Sequence, residues 1–166
     1  ELIELGAGDG TKTVELLKAL QREGYSYDYF PIDISQNSLD GLEKMLSEIT
    51  PALKVVKKQG DYFGVLSSFK ESKKKKVLLF MGSNIGNMND DRAREFIYKL
   101  GENLNSGDKL LIGIDLMKSI EIVGPAYNDR AGITSAFNLN LLDRINRELG
   151  GDFDLEKWVH APEYDE

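Results

Sequence analysis

The stretch Glu4-Leu5-Gly6-Ala7-Gly8-Asp9-Gly10-Thr11-Lys12 constrains the fold of this chain more than any other. Apolar Leu2-Ile3-Glu4-Leu5 runs into a glycine-rich turn, and a helix-patterned stretch over residues 13–20 follows. A strand, a glycine loop and a helix in that order open a doubly wound α/β domain, the architecture that binds nucleotide-like ligands at the loop. The glycines alone are a weak signal, and a purely structural turn has the same composition.

Their spacing says more. A dinucleotide fingerprint of the form G-x-G-x-x-G that begins at Gly6 needs its third glycine at position 11, which is Thr11. Here the glycines stand at 6, 8 and 10, with Asp9 between the last two. A carboxylate competes with a pyrophosphate for the same amide dipoles. It is compatible with S-adenosylmethionine (SAM), which has no phosphate and carries a positive sulfonium. The spacing therefore favours a methyltransferase over a dehydrogenase.

At 166 residues the chain can bury one ordinary core. Its 41% hydrophobic and 30% charged content are those of a soluble globular protein. No apolar run approaches the roughly 20 residues that span a bilayer. Zero cysteines exclude disulfides, thiolate zinc sites and cysteine nucleophiles, and a single histidine, His160, makes a histidine-rich metal centre implausible. The formal charge of −7 argues against broad nucleic-acid binding, which needs a basic face. The one basic run, Lys73-Lys74-Lys75-Lys76, reads as a solvated loop before an apolar strand. A cytoplasmic location is the default expectation, together with a monomer that binds neither nucleic acid nor membrane. The chain opens inside its first strand, so it is read as a fragment truncated at both ends.

Strand and helix patterns then alternate, as in repeated βαβ units. The expected elements after the loop are a helix over 11–21, a strand over 27–32 ending at Asp33, and a helix over 36–49 capped by Ser35 and stopped by Pro51. A short strand over 53–57 leads to a turn at Gly60-Asp61-Tyr62-Phe63. Residues 76–81 read as a central parallel strand, continuous and apolar. A helix opens at Asn89-Asp90-Asp91 and runs to about residue 103, and a strand over 109–114 ends at Asp115. Beyond Met117 the pattern changes. A patch over 120–127 holds Gly124-Pro125, which should break or kink it, and a helix over 135–149 closes on Gly150-Gly151. The expected organisation is a SAM-binding Rossmann-like domain over 1–117 and a partial helical cover or substrate-binding region over 118–166.

Ligands of open α/β sheets sit beyond the carboxyl ends of the strands. Asp33, 25 positions after Gly8, is placed to accept both ribose hydroxyls of a nucleoside cofactor. Asp61 beside Tyr62 suits an adenine amino group with a ring nearby, and a plain turn aspartate is the alternative. Gly82-Ser83-Asn84-Ile85-Gly86-Asn87 allows close backbone approach at a strand end, with Asn87 offering a donor and an acceptor. The sequence lacks the Asp/Asn-Pro-Pro-Tyr tetrapeptide of nucleic-acid amino methyltransferases. His160 reads as an exposed or packing residue with no evident partner.

Several strings recur in one order: Glu4-Leu5-Gly6-Ala7-Gly8 with Lys12, Tyr29-Phe30-Pro31-Ile32-Asp33-Ile34-Ser35, and Phe80-Met81-Gly82-Ser83-Asn84-Ile85-Gly86-Asn87. Gly113-Ile114-Asp115-Leu116, Ala126-Tyr127-Asn128-Asp129, Gly132-Ile133-Thr134, Phe137-Asn138 and Arg144-Ile145-Asn146-Arg147-Glu148-Leu149-Gly150 follow. In these the chain resembles, over nearly its whole length, the histidine-specific SAM-dependent methyltransferases that trimethylate the α-amino group of histidine in ergothioneine biosynthesis. The resemblance implies a Rossmann-like class I methyltransferase fold, with a central, mostly parallel sheet and helices on both faces. It also implies that the sheet's last two strands lie past Glu166. It places Gly6, Gly8 and Lys12 in the SAM pocket, Asp33 on the ribose, and Asp61 with Tyr62 at the adenine. Gly82 and Asn87 meet the substrate's amino and carboxylate groups, and Tyr127 holds the carboxylate; Asn87 and Tyr127 orient the reacting amine. Family members often have Asp where Asn128 stands. Their imidazole-recognising glutamate and serine, and their tyrosines upstream of the glycine loop, have no counterpart in these residues.

Other readings stay open: methylation of another amino acid such as a tryptophan derivative, a non-catalytic SAM-binding or partner-binding domain, and a dehydrogenase. Residues 1–166 alone are expected to be weakly active or inactive.

Overall fold

The computed structural model describes residues 1–164, which fall into two compact units, Glu1–Asp115 and a second that begins at Leu116. The first unit is built on six strands: β1 (Leu2–Leu5), β2 (Asp28–Asp33), β3 (Lys54–Val55), β4 (Lys58–Gln59), β5 (Val77–Phe80) and β6 (Lys109–Ile112). The sheet order is β3-β2-β1-β5-β6, with β4 also on β2, and every pairing is parallel. The chain moves outward from β1 through β2 and β3, then returns to the other side of β1 as β5 and β6. That reversal is the topological switch point, and it opens a crevice beyond the ends of β1 and β5.

Alternation along the strands builds two cores. Ile3, Leu5, Phe30, Ile32, Leu78 and Phe80 point to one face, where Leu66 and Phe69 meet Phe96 and Leu100. Leu2, Tyr29 and Leu79 point to the other and pack against Val14, Leu17, Leu42 and Leu46. Helices α1 (Thr13–Arg22) and α2 (Gln36–Ile49) therefore cover one side, and α3 (Tyr62–Ser67) and α4 (Asp90–Glu102) the other. This is the doubly wound arrangement that the strand–helix alternation implied. Ser35 caps α2 by accepting the Ser38 N–H, and Asn89 caps α4 by accepting the Arg92 N–H, at 3.2 and 3.0 Å.

Several details differ from the sequence reading. The strand expected over 53–57 is two short strands on β2, and pairing lapses where Lys57 reaches Asp40 and Glu43 of α2 at 2.6 and 2.7 Å. The turn at Gly60-Asp61-Tyr62-Phe63 is the start of α3, because Asp61 accepts the Gly64 N–H at 2.8 Å and so caps a helix. The lysine run is not wholly solvated. Lys76 is 1% exposed, its ammonium 2.9 Å from Asp108. Asp108 also accepts the backbone N–H groups of Lys76 and Asn105, each at 2.8 Å. Burial pushes the Asp108 carboxyl up, but these hydrogen bonds and the Lys76 charge outweigh it and hold the group at about 2.

The second unit contains α5 (Ile120–Tyr127) and α6 (Ile133–Leu149). Pro125 lies inside α5 without ending it; the ring forfeits one backbone bond, while the Asn128 N–H still reaches the Gly124 carbonyl at 2.9 Å. Helix α6 starts two residues before the expected 135 because Asp129 accepts the N–H groups of Ile133 and Thr134 at 2.9 and 2.8 Å. Those bonds hold the Asp129 carboxyl down at about 2.

Candidate functional site

The loop after β1 is fixed from below. The N–H groups of Gly6 and Ala7 donate to the Ile32 carbonyl at 2.8 and 3.3 Å, which ties the loop to the end of β2. Asp33, the last residue of β2, then accepts the Gly8 N–H on Oδ2 at 3.1 Å and the Ser35 N–H on Oδ1 at 2.9 Å. Its carboxylate thus joins the glycine loop to the start of α2. An ionised carboxylate has about four lone-pair positions, so two used by backbone leave room for two hydroxyls.

A cavity of about 420 Å³ lies over this loop. Its wall runs from Glu4 and Gly6 through Thr13, and is completed by Met81, Gly82 and Asn84 at the end of β5. It stands at the switch point, between the carboxyl ends of β1 and β5. Of the residues that the sequence singled out, it brings together Gly6, Gly8, Lys12 and Gly82. Tyr62 reaches the same loop from α3: a Cβ built on Gly6, whose φ is +69°, would stand 2.7 Å from the Tyr62 hydroxyl. Close approach and a left-handed backbone both require glycine at this position. The Tyr62 ring packs edge-on against Phe80 and Phe96, and burial, then the charge of Asp33, push its phenol up.

Other sequence candidates stand apart from the cavity wall. Asp61 spends one carboxylate oxygen on its cap. Asn87 is exposed and ends the single 3-10 turn Asn84–Asn87 after β5. Tyr127 ends α5 in the second unit, 60% exposed.

Among the wall residues that the sequence gave no role, two stand out for their polar side chains. Asn84 is one; its amide nitrogen lies 4.0 Å from a Cβ built on Gly6 and 3.8 Å from one built on Gly82. It is carried there by Ser83, whose φ of +59° is the only positive value at a non-glycine position among the described residues. That backbone is held by the Asp115 N–H, which donates to Ser83 Oγ at 2.8 Å, and by the Ser83 N–H on the Gly113 carbonyl at 3.2 Å. Strain retained by surrounding bonds is common where a loop must present a group to a ligand. Glu4 is the other. It is 3% exposed and accepts hydrogen bonds from the hydroxyls of Thr13, at 2.5 Å, and Tyr29. Burial pushes its carboxyl up, against the lowering effect of those two hydroxyls. The available signal was a lone acid inside an apolar strand, since a buried charge needs partners.

The electrostatics of the wall are acidic. Asp9 accepts the Thr11 N–H at 3.0 Å, and that bond with the Thr11 hydroxyl holds its carboxyl below the usual range. The wall holds Asp9 and the buried Glu4 beside one basic side chain, Lys12, while Asp33 stands behind the loop on the Gly8 N–H. Such a donor set does not suit a pyrophosphate, and it does suit a nucleoside bearing positive charge.

A parallel sheet in this order, a glycine loop at its switch point and an acid ending β2 define a nucleoside-binding Rossmann-like domain. Its acidic lining narrows the class to SAM-type cofactors. The profile of the family described as "Histidine-specific methyltransferase, SAM-dependent" matches residues 1–166, and the chain belongs to that family. It is 34% identical over 163 residues to a histidine N-alpha-methyltransferase of Mycolicibacterium smegmatis, a match that covers 98% of this chain and 50% of the relative. It is 37% identical over 155 residues to ergothioneine biosynthesis protein 1 of Neurospora crassa, covering 90% of this chain and 17% of that one. An N-methyltransferase of Aspergillus flavus, dtpB, is 28% identical over 162 residues, 91% of this chain and 45% of the relative. The chain thus spans half or less of the length of these relatives.

Proposed function

We propose that the protein to which this chain belongs transfers methyl groups from SAM to the α-amino nitrogen of L-histidine. The observation that carries the cofactor half of this reading is the Asp33 clasp. One carboxylate holds the glycine loop through Gly8, holds α2 through Ser35, and keeps capacity for a ribose diol. Family membership and the relatives' names support histidine as the substrate.

When bound, SAM supplies an electrophilic methyl on a sulfonium whose leaving group departs neutral. The residues of this chain bind and orient. Gly6, Gly8 and Lys12 line the SAM pocket, Asp33 receives the ribose, and Asp61 with Tyr62 the adenine. The acidic wall of Glu4 and Asp9 favours a cation and disfavours a phosphate. Gly82, Asn87 and Tyr127 receive the amino and carboxylate groups of the substrate, with Asn87 and Tyr127 directing the nitrogen lone pair. A displacement of this kind needs an amine that arrives deprotonated and a near-attack alignment, and no nucleophilic triad.

As part of the same reading, residues 1–117 form the cofactor domain and 118–166 part of the substrate cover. The enzyme is taken to be a cytoplasmic monomer acting on a free small molecule. The charge of −7 disfavours polyanions, and no described helix is long and apolar enough to cross a membrane. Light scattering on the eluting protein and cell fractionation test those two points.

The decisive assay offers the full-length protein SAM and each of the twenty amino acids, with methylated products identified by mass. Histidine is expected to be methylated. Turnover of another amino acid without histidine would refute the substrate and favour the second reading, methylation of a different amino acid. Residues 1–166 alone are expected to turn histidine over weakly or not at all.

A further inference from the structure

The single histidine of the chain is bonded on both ring nitrogens. His160 Nε2 lies 2.7 Å from the backbone carbonyl of Tyr127, and Nδ1 lies 3.2 Å from the side-chain nitrogen of Asn138 on α6. A carbonyl can only accept, so Nε2 carries the hydrogen and Nδ1 accepts from the Asn138 amide. His160 is half-buried, which fits the packing half of the exposed-or-packing reading, and it has the partners that the sequence did not make evident.

The bond falls at a helix end. The last carbonyls of α5 have no partners within the helix and must find them elsewhere. Gly124 O accepts the Asn128 N–H at 2.9 Å, Ala126 O accepts the Thr134 hydroxyl at 3.4 Å, and Tyr127 O accepts His160. Four residues on, the Tyr164 hydroxyl donates to the Lys118 carbonyl at 3.2 Å, just before α5 begins. The segment 160–164 therefore clasps α5 near both ends. It also forms one side of a cavity of about 610 Å³ whose other side includes Val123, Pro125 and Tyr127.

We propose that His160 is a positioning residue for Tyr127. It fixes the backbone from which the Tyr127 side chain projects, and with it the place where the substrate carboxylate is received. The proposal rests on the reading that Tyr127 holds that carboxylate. Tyr127 is 60% exposed and has little packing of its own to fix it, so the carbonyl bond sets the direction of the residue. Asn138, held on α6, sets the ring plane.

The test uses the full-length protein and the amino acid it methylates. His160→Phe keeps a ring and removes both nitrogens; His160→Gln keeps an N–H donor for the Tyr127 carbonyl and an acceptor for Asn138. Loss of a bond of this class should raise KM for the amino acid roughly tenfold in His160→Phe. SAM affinity by calorimetry should stay within about twofold, and His160→Gln should recover most of the loss. In a Tyr127→Phe background, His160→Phe should add little, because the two act on one contact. An unchanged KM in His160→Phe would overturn the proposal, as would a glutamine variant no better than phenylalanine. A full further loss on top of Tyr127→Phe would also overturn it. A Tyr127→Phe enzyme with unchanged KM would refute the carboxylate reading itself, and the proposal with it.

Discussion

Asp33→Asn isolates the residue on which the cofactor reading turns. The carboxylate accepts two backbone N–H groups, on Oδ2 from Gly8 and on Oδ1 from Ser35. Asparagine keeps one acceptor and presents an NH₂ to whichever N–H remains, donor against donor. Hydrogen bonds to a charged group contribute about 1.5–3 kcal/mol each, so the unliganded protein should lose about that much stability. The same replacement removes one acceptor from the ribose diol. A second loss of about 1.5–3 kcal/mol corresponds to a SAM affinity weakened roughly 10- to 150-fold. Calorimetry on the full-length protein reads the affinity and thermal unfolding reads the stability. Two ligands separate the causes. S-Adenosylhomocysteine shares the ribose and lacks the sulfonium, so it should lose the same factor. Its 2′-deoxy analogue should already have lost most of what the substitution removes. If Asp33→Asn bound SAM within about threefold of wild type while its melting point fell, the carboxylate would serve only to hold the loop. A loss confined to SAM would mean that it acts on the sulfonium charge.

Four further substitutions probe the scaffold. A Cβ on Gly10 would stand 2.2 Å from Leu42 Cδ1 with φ at +70°, whereas one on Gly8, with φ at +54°, meets nothing within 4 Å. Gly10→Ala should thus cost about 2–4 kcal/mol in denaturant unfolding and Gly8→Ala about 1–2, and equal losses would refute the packing argument. Asp108 titrates at about 2 in the fold against an ordinary 3.8, so its stabilisation is full above the higher value and is lost as pH falls through the lower. That difference amounts to about 2 kcal/mol. Asp108→Asn, which strands Lys76, should be about 3 kcal/mol less stable at neutral pH. The gap from wild type should shrink by about 2 kcal/mol as pH drops from about 5 to about 2, and a pH-independent gap would count against the buried pair. Glu4 is pushed up by burial, so its ionisation opposes folding as pH rises above the ordinary 4.5. Glu4→Gln can keep both hydroxyl partners and should gain on wild type between acid and alkaline pH; a steady or widening deficit would contradict that sign.

Most of the frame could be read from residue order because the forces that set it are local or periodic. Apolar Leu2-Ile3-Glu4-Leu5 before a glycine turn, Ser35 and Asn89 as caps, and Val77-Leu78-Leu79-Phe80 as a buried strand each depend on neighbours within one turn or one pleat. The place of Asp33 was legible for a similar reason: an acid that closes an apolar strand stands at the carboxyl end of that strand whatever the rest of the chain does. The start of α3 was missed because Asp61 looks the same as a turn residue and as a cap until Gly64 is seen to donate to it.

The sequence by itself determined the class: parallel strands, a phosphate-free nucleoside loop, and a family written in strings such as Gly82-Ser83-Asn84-Ile85-Gly86-Asn87. Tertiary structure decided which side chains meet. It put Glu4 under two hydroxyls, Lys76 against Asp108, Asn84 between two glycine turns and His160 on the Tyr127 carbonyl. Gly82 apart, which is close to Asn84 in sequence, those partners lie 9 to 78 residues apart in the chain. Pairings over such separations leave no period in the sequence, because they depend on how whole elements pack and not on the repeat of any one of them.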